Sequence, residues 1–104
     1  MNRLEELFRD RPDAAGFARG YLDYLAEVAA EGVLANCVSP GFIDTELTRD
    51  VLGEAGIAEV VAGVPAGRLG KPEEVAALVA WLAGPENTYV SGQNILIDGG
   101  FTRV

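Results

Sequence analysis

Two short apolar runs, "VLANCV" at 33–38 and "NILID" at 94–98, each end at a glycine turn, and everything between them reads as helix and loop. No other feature restricts the fold as much. Two strands joined by a long helical connection cannot form a hairpin, so the connection is a right-handed parallel crossover. "VLANCV" is apolar on both faces apart from Asn36, as a strand inside a parallel sheet should be. Asn36 in that setting must find hydrogen-bond partners, which makes its role structural. Cys37, in the middle of the run, is read as a buried core thiol rather than a nucleophile.

The helices follow from periodicity and capping. Leu4, Leu7 and Phe8 give a short amphipathic stretch, interrupted at Pro12. Asp13 can cap the helix after it, and Phe17, Tyr21, Tyr24, Leu25 and Val28 make one core-facing stripe. Gly32 stops that helix. Pro40-Gly41 ends the first strand. "TELTRDVLGEAGIAEVVAGV" predicts one or two short helices, broken near Gly53 and Gly56. "KPEEVAALVAWLAG" opens a further helix, with Pro72 at its first position, Glu73 and Glu74 at its positive end, and Val75, Leu78, Val79 and Leu82 as a buried stripe. The fold class is α/β: two parallel strands with flanking helices.

Composition limits what such a fold can do. At 104 residues the chain is one domain or part of one, and its net charge of −8 repels phosphate backbones and anionic lipid. Nucleic acid and membrane are therefore not expected partners. The longest apolar run, "VAALVAWLA", is about half a membrane span. "MNRLEELFRDRPD" lacks the apolar core of a signal peptide, and a single cysteine excludes an internal disulfide and fits a reducing cytoplasm. With no histidine, Ser-His-Asp triads and most zinc or iron sites are ruled out. Asp44 and Glu46 read as a solvated helix start, Tyr21 and Tyr24 as packing residues, and Asp98 as a turn-fixing residue rather than a metal ligand.

From about Glu31 onward, "EGVLANCVSPGFIDTELT" and "VPAGRLGKPEEVAALVAWLAGPENTYVSGQNILIDGG" resemble, in order, the C-terminal half of the short-chain dehydrogenase/reductase family. Residues 13–30 resemble its preceding long helix more loosely, and 1–12 are unplaced. The resemblance implies a partial Rossmann-type fold carrying an NAD or NADP site. Pro40, Gly41 and Ile43 would line the nicotinamide, Ile43 presenting backbone groups to the carboxamide, and Thr45 would bond the carboxamide or the pyrophosphate. Residues 46–66 would form a substrate lid with an apolar wall from Leu47, Val51, Leu52 and Val61. The implied reaction is NAD(P)-linked interconversion of a carbonyl and an alcohol.

The sequence departs from that family at two places that carry chemistry. Phosphates need a glycine-rich turn at a helix N-terminus, yet no two glycines here are separated by a single residue. The family's Tyr-x-x-x-Lys pair uses the lysine to lower the phenol pKa for proton transfer. The sole lysine is Lys71, preceded at that spacing by Gly67. Counting back along the helix puts Asp10 and Ala14 where the pair belongs, and a shifted register puts Leu7 and Arg11 there. No catalytic residue is therefore assigned, and the chain alone is expected neither to hold the cofactor nor to turn over.

Three readings remain. The chain is one part of a split reductase completed by a separate N-terminal half. Alternatively, it is a non-catalytic oligomerisation or partner-binding module. The third reading is a fragment of a longer product. Two strands cannot cover their own faces and edges with so few helices, so another chain is expected there. The family resemblance makes the specific expectation a homo-oligomer, pairing through the stretch from Val75 to Ala83 and the stretch from Ile95 to Asp98. Trp81 is the candidate anchor.

Overall fold

The computed structural model describes Glu6 and residues 13–103. The amphipathic stretch expected around Leu4, Leu7 and Phe8 and the break at Pro12 lie outside them. The described residues run as helix α1 (Ala14–Ala30), strand β1 (Cys37–Pro40), helix α2 (Glu46–Ala62), helix α3 (Pro72–Ala83), strand β2 (Asn94–Ile97) and a 3-10 turn (Phe101–Arg103). β1 and β2 pair in parallel as a two-stranded sheet, as the strand–crossover–strand pattern requires. The residues fall into two compact units. One holds the described residues up to Cys37 together with Thr88–Gln93, and the other holds Val38–Asn87 and the described residues from Asn94 onward.

In the first unit, Asp13 caps α1 by accepting from the Gly16 N–H at 2.6 Å. The helix ends where Gly32 takes a φ of 86°. There the Val33 N–H donates to the Val28 carbonyl and the Gly32 N–H to the Ala29 carbonyl, the double closure that a left-handed glycine makes possible. Leu25 is 6% exposed, but Tyr21 stands out to solvent, so the expected stripe is buried only in part. Asn36 finds its partners here. Its amide donates to the Val90 carbonyl at 2.9 Å and its oxygen accepts from the Gln93 N–H at 3.0 Å.

The second unit holds the sheet and the two later helices. Thr45 caps α2 through the Thr48 N–H at 3.2 Å, and the helix is kinked at Gly53, whose φ of 67° and ψ of 176° suit glycine alone. Only this one of the two expected breaks occurs, because Gly56 stays helical. α3 begins at Pro72 as expected, and the Lys71 N–H donates to the Glu74 carboxylate at 2.9 Å. Its apolar stripe is half-buried rather than buried, with Val79 46% exposed.

β1 starts later than "VLANCV" suggested, and Cys37, which opens it, is exposed rather than buried. The reason lies in the sheet. Ser39 donates to the Asn94 side chain at 2.6 Å, which puts those two on one face, and Cys37 shares it by the two-residue repeat. Asn94 and Leu96 on that face are exposed, whereas Ile95 and Ile97 on the other are half-buried. A parallel sheet is buried on both faces only where helices cover both. Val64 and Leu25 are the buried apolar residues among those described.

Candidate functional site

Beyond the C-terminal end of β1, the chain is pinned at short intervals. The Gly41 N–H donates to the Ile97 carbonyl at 3.0 Å, continuing the ladder one residue past Pro40. A Cβ on Gly41 would stand 2.8 Å from the Asp98 Cβ, so no other residue fits without movement. The structural reason for a glycine here is thus the chain's own packing against Asp98. Two residues later, Ile43 forms an isolated parallel bridge with Gly70. The Gly70 N–H donates to the Phe42 carbonyl at 2.9 Å, and the Gly70 carbonyl accepts from the Asp44 N–H at 2.8 Å.

That arrangement leaves Ile43 in a particular state. Its neighbours' groups are taken by Gly70, while among the described residues its own N–H and C=O have no hydrogen-bond partner. A parallel bridge alternates the direction of successive peptide groups, so these two point away from Gly70. Ile43 therefore offers one donor and one acceptor from a backbone held on both sides. Thr45 behaves otherwise. Its oxygen accepts from the Thr48 N–H and shares a hydrogen bond with the Thr48 hydroxyl at 3.0 Å.

Two depressions lie around this loop. A narrow one of about 90 Å³ includes Phe42, Ile43, Arg68, Glu74 and Asp98 in its wall. A shallower one of about 330 Å³ includes Pro40, Gly41, Leu96, Phe101, Phe42 and Asp98. Pro40 and Gly41 thus line one, Ile43 the other, and Thr45 neither. Phe42 and Asp98 belong to both, although Phe42 was not singled out and Asp98 was read only as a turn residue. The four side chains expected to wall a lid diverge. Leu47 and Val51 are 72% exposed, while Leu52 and Val61 are half-buried.

Charge around the loop is paired. Arg49 grips Asp44 with two contacts of 2.7 Å, and this hydrogen bonding holds the Asp44 carboxyl below its usual range. Arg68 grips Glu74 at 2.7 and 2.9 Å, and with the Lys71 N–H brings the Glu74 carboxyl down to about 2. The Asp98 carboxyl is lowered chiefly by the Thr102 hydroxyl, then by the N–H groups of Thr102 and Gly100. Asp98 is thus the turn-fixing residue expected. No group of three or more His, Cys, Asp or Glu residues suited to a metal occurs among the described residues. Pro40, Gly41, Phe42 and Ile43 carry no titratable side chain, so these four residues can orient a ring but cannot pass a proton. It suits the carboxamide end of a nicotinamide nucleotide, and the sequence supplies no glycine-rich turn for the phosphates.

Parallel strands with glycine turns at their C-terminal ends place this chain in the Rossmann class of α/β proteins. Residues 18–102 match the family described as enoyl-(acyl carrier protein) reductase. The 3-oxoacyl-(acyl-carrier-protein) reductase FabG of Vibrio cholerae is 49% identical over 78 residues, covering 75% of this chain and 32% of that one. A tropinone reductase homolog of Arabidopsis thaliana is 42% identical over 99 residues, covering 89% and 38%. The chain belongs to the short-chain dehydrogenase/reductase family. Among solved structures, YwfH, an NADPH-dependent reductase involved in bacilysin biosynthesis, aligns with a TM-score of 0.76 at 28% identity over 94% of this chain and 44% of that one. A candidate 2-deoxy-D-gluconate 3-dehydrogenase of Agrobacterium tumefaciens with bound NADP aligns at 0.73 and 29% identity, over 86% and 37%. The chain spans about a third of the length of the curated relatives it matches. No helix among the described residues is long and apolar enough to cross a membrane.

Proposed function

We propose that this chain forms the nicotinamide-side wall of a cytoplasmic NAD(P)-dependent reductase that interconverts a carbonyl and an alcohol. The single observation that supports it most is Ile43. A carboxamide presents one acceptor and one donor face, and Ile43 offers the complementary N–H and C=O from a backbone that Gly70 immobilises. Pro40 and Gly41 shape the adjacent surface, and Thr45 acts by starting the lid helix as well as by any bond to the cofactor. Phosphate binding and proton transfer need groups that the sequence does not hold, so a further stretch of polypeptide supplies the glycine-rich turn and the Tyr–Lys pair. The 104 residues alone do not turn over.

A fusion of the N-terminal segment of the Vibrio cholerae relative to this chain tests the reading. The fusion should show saturable quenching or enhancement of NADPH fluorescence, and NADPH should shift the Ile43 amide in NMR spectra while ADP-ribose 2′-phosphate does not. The unfused chain should do neither. Turnover of a pyridine nucleotide by the unfused chain would overturn its incompleteness, and an unmoved Ile43 amide in an NADPH-loaded fusion would overturn the role of the loop.

The same reading extends to assembly. Val79, Trp81 and Leu96 are exposed large apolar residues within the two stretches expected to pair. This favours a homo-oligomer, or docking of a separate N-terminal half, over a lone monomer. Light scattering at micromolar concentration decides it, and a monodisperse monomer counts against it.

A further inference from the structure

We infer that Asp98 is a positioning residue for the backbone that faces the nicotinamide, setting that loop and the connector after α2 in one register from a single carboxylate. Its cofactor arm rests on the function proposed above.

Asp98 follows β2 directly and does more than cap its own turn. One carboxylate oxygen accepts from the Gly100 N–H at 3.0 Å. The other accepts from the Thr102 N–H at 3.0 Å and from the Thr102 hydroxyl. Three donors on one carboxylate fix the path of residues 99–102. From there the turn reaches in two directions.

Toward β1, Gly41 packs against Asp98 itself, with room for no Cβ between them. Phe101, carried by the same turn, meets Phe42 edge to face with ring centroids 5.3 Å apart. Phe42 is the residue whose carbonyl is bonded to Gly70, immediately before Ile43. Toward the connector, the Gly99 carbonyl accepts from the Ala66 N–H at 3.0 Å. Gly99 closes against Val64 and Gly100 against Pro65. Asp98 itself touches Gly41, and the rest are reached by the residues its carboxylate fixes: Phe101 meets Phe42, Gly99 meets Val64 and Ala66, and Gly100 meets Pro65. The backbone of Ile43 is thus held directly by Gly70, and by Asp98 through Phe101 and Phe42.

Amide exchange reads this without any cofactor. The Gly41 and Ala66 amides, bonded to the Ile97 and Gly99 carbonyls, are the reporters. In Asp98→Ala they should exchange about tenfold faster, while amides inside α3 keep their rates. Asp98→Asn should restore the protection only in part, because its amide oxygen can still accept from the Gly100 N–H while its NH2 cannot accept from the Thr102 N–H. Thr102→Val, which spares the carboxylate, should loosen Gly41 less than Asp98→Ala does. Unchanged Gly41 and Ala66 in Asp98→Ala overturns the inference, and so does equal acceleration throughout α3.

The cofactor arm uses the fusion. Asp98→Ala should weaken NADPH binding by about tenfold and leave ADP-ribose 2′-phosphate unaffected. Equal weakening of both overturns the positioning role. Failure of the unsubstituted fusion to bind NADPH sinks the proposed function instead, and leaves the exchange result to decide the inference.

Discussion

The loop at 41–44 and the first half of α2 follow one another in the chain and are held in opposite ways. The loop is bonded to Ile97 and Gly70 and pressed against Asp98. The helix after it has no buried residue, exposes Leu47 and Val51, and is broken at Gly53. A surface that must present hydrogen-bonding groups in fixed directions needs the first arrangement. A segment that moves needs the second, since elements with few buried contacts open at low free-energy cost. Rigidity here comes from backbone pairing at long sequence range, and looseness from its absence.

The contrast breaks most readily at Gly41. Gly41→Ala places a methyl against the Asp98 backbone and Cβ, neither of which can turn aside, and should cost about 2 kcal/mol in urea unfolding. Gly70→Ala meets only the Cδ1 end of Ile43 at 2.7 Å, which can rotate away, so about 1 kcal/mol or less is expected. Equal costs would show that the loop is not held more tightly on its Asp98 side.

Gly53→Ala probes the other region. The added methyl meets nothing within 4 Å, so the penalty is the backbone conformation alone. Because none of residues 46–52 is fully buried, they can swing to close the kink and relieve that strain. The expected result is a stability loss under about 1 kcal/mol with a gain in helical circular dichroism. A larger loss with no gain in helix would mean that the first half of α2 is anchored after all. Leu47→Ser with Val51→Ser should move stability by less than about 0.5 kcal/mol, as exposed positions do, and a clear loss in urea unfolding would contradict their exposure.

How much of this could be read in the sequence depended on whether the cause was local. α3 was legible to the residue at its start, because Pro72 and Glu74 act within one turn. The strand at 33–38 was not. Asn36 uses its side chain to bond Val90 and Gln93 as a backbone would, so the regular ladder begins only at Cys37. The exposure of Cys37 turns on whether a layer covers that face of the sheet, which periodicity along one strand cannot report. Ile43 entered through family resemblance alone. What makes it available is Gly70, distant in sequence and joined to it by the bridge. Asp98 before two glycines announced a turn, but nothing local announced Phe42 or Ala66 as dependants of that turn.

The smallest expected effect concerns the Arg68–Glu74 pair, which lies in the wall of the narrow depression beside Ile43. The Glu74 carboxyl is lowered from 4.5 to about 2 in the folded chain. A depressed carboxyl contributes stability that is present above its ordinary value and is lost as pH falls through its folded value. The difference in urea midpoint between the unsubstituted chain and Glu74→Gln should therefore be constant above pH 4.5 and shrink as pH drops toward about 2. Both partners are roughly half-exposed, so added salt should narrow the difference at every pH. Asp44 and Asp98 titrate in the same direction in both proteins and cancel from the comparison. Midpoints that run parallel through this range would mean that the guanidinium does not hold Glu74 in solution, and the wall beside Ile43 would then be as loose as the first half of α2.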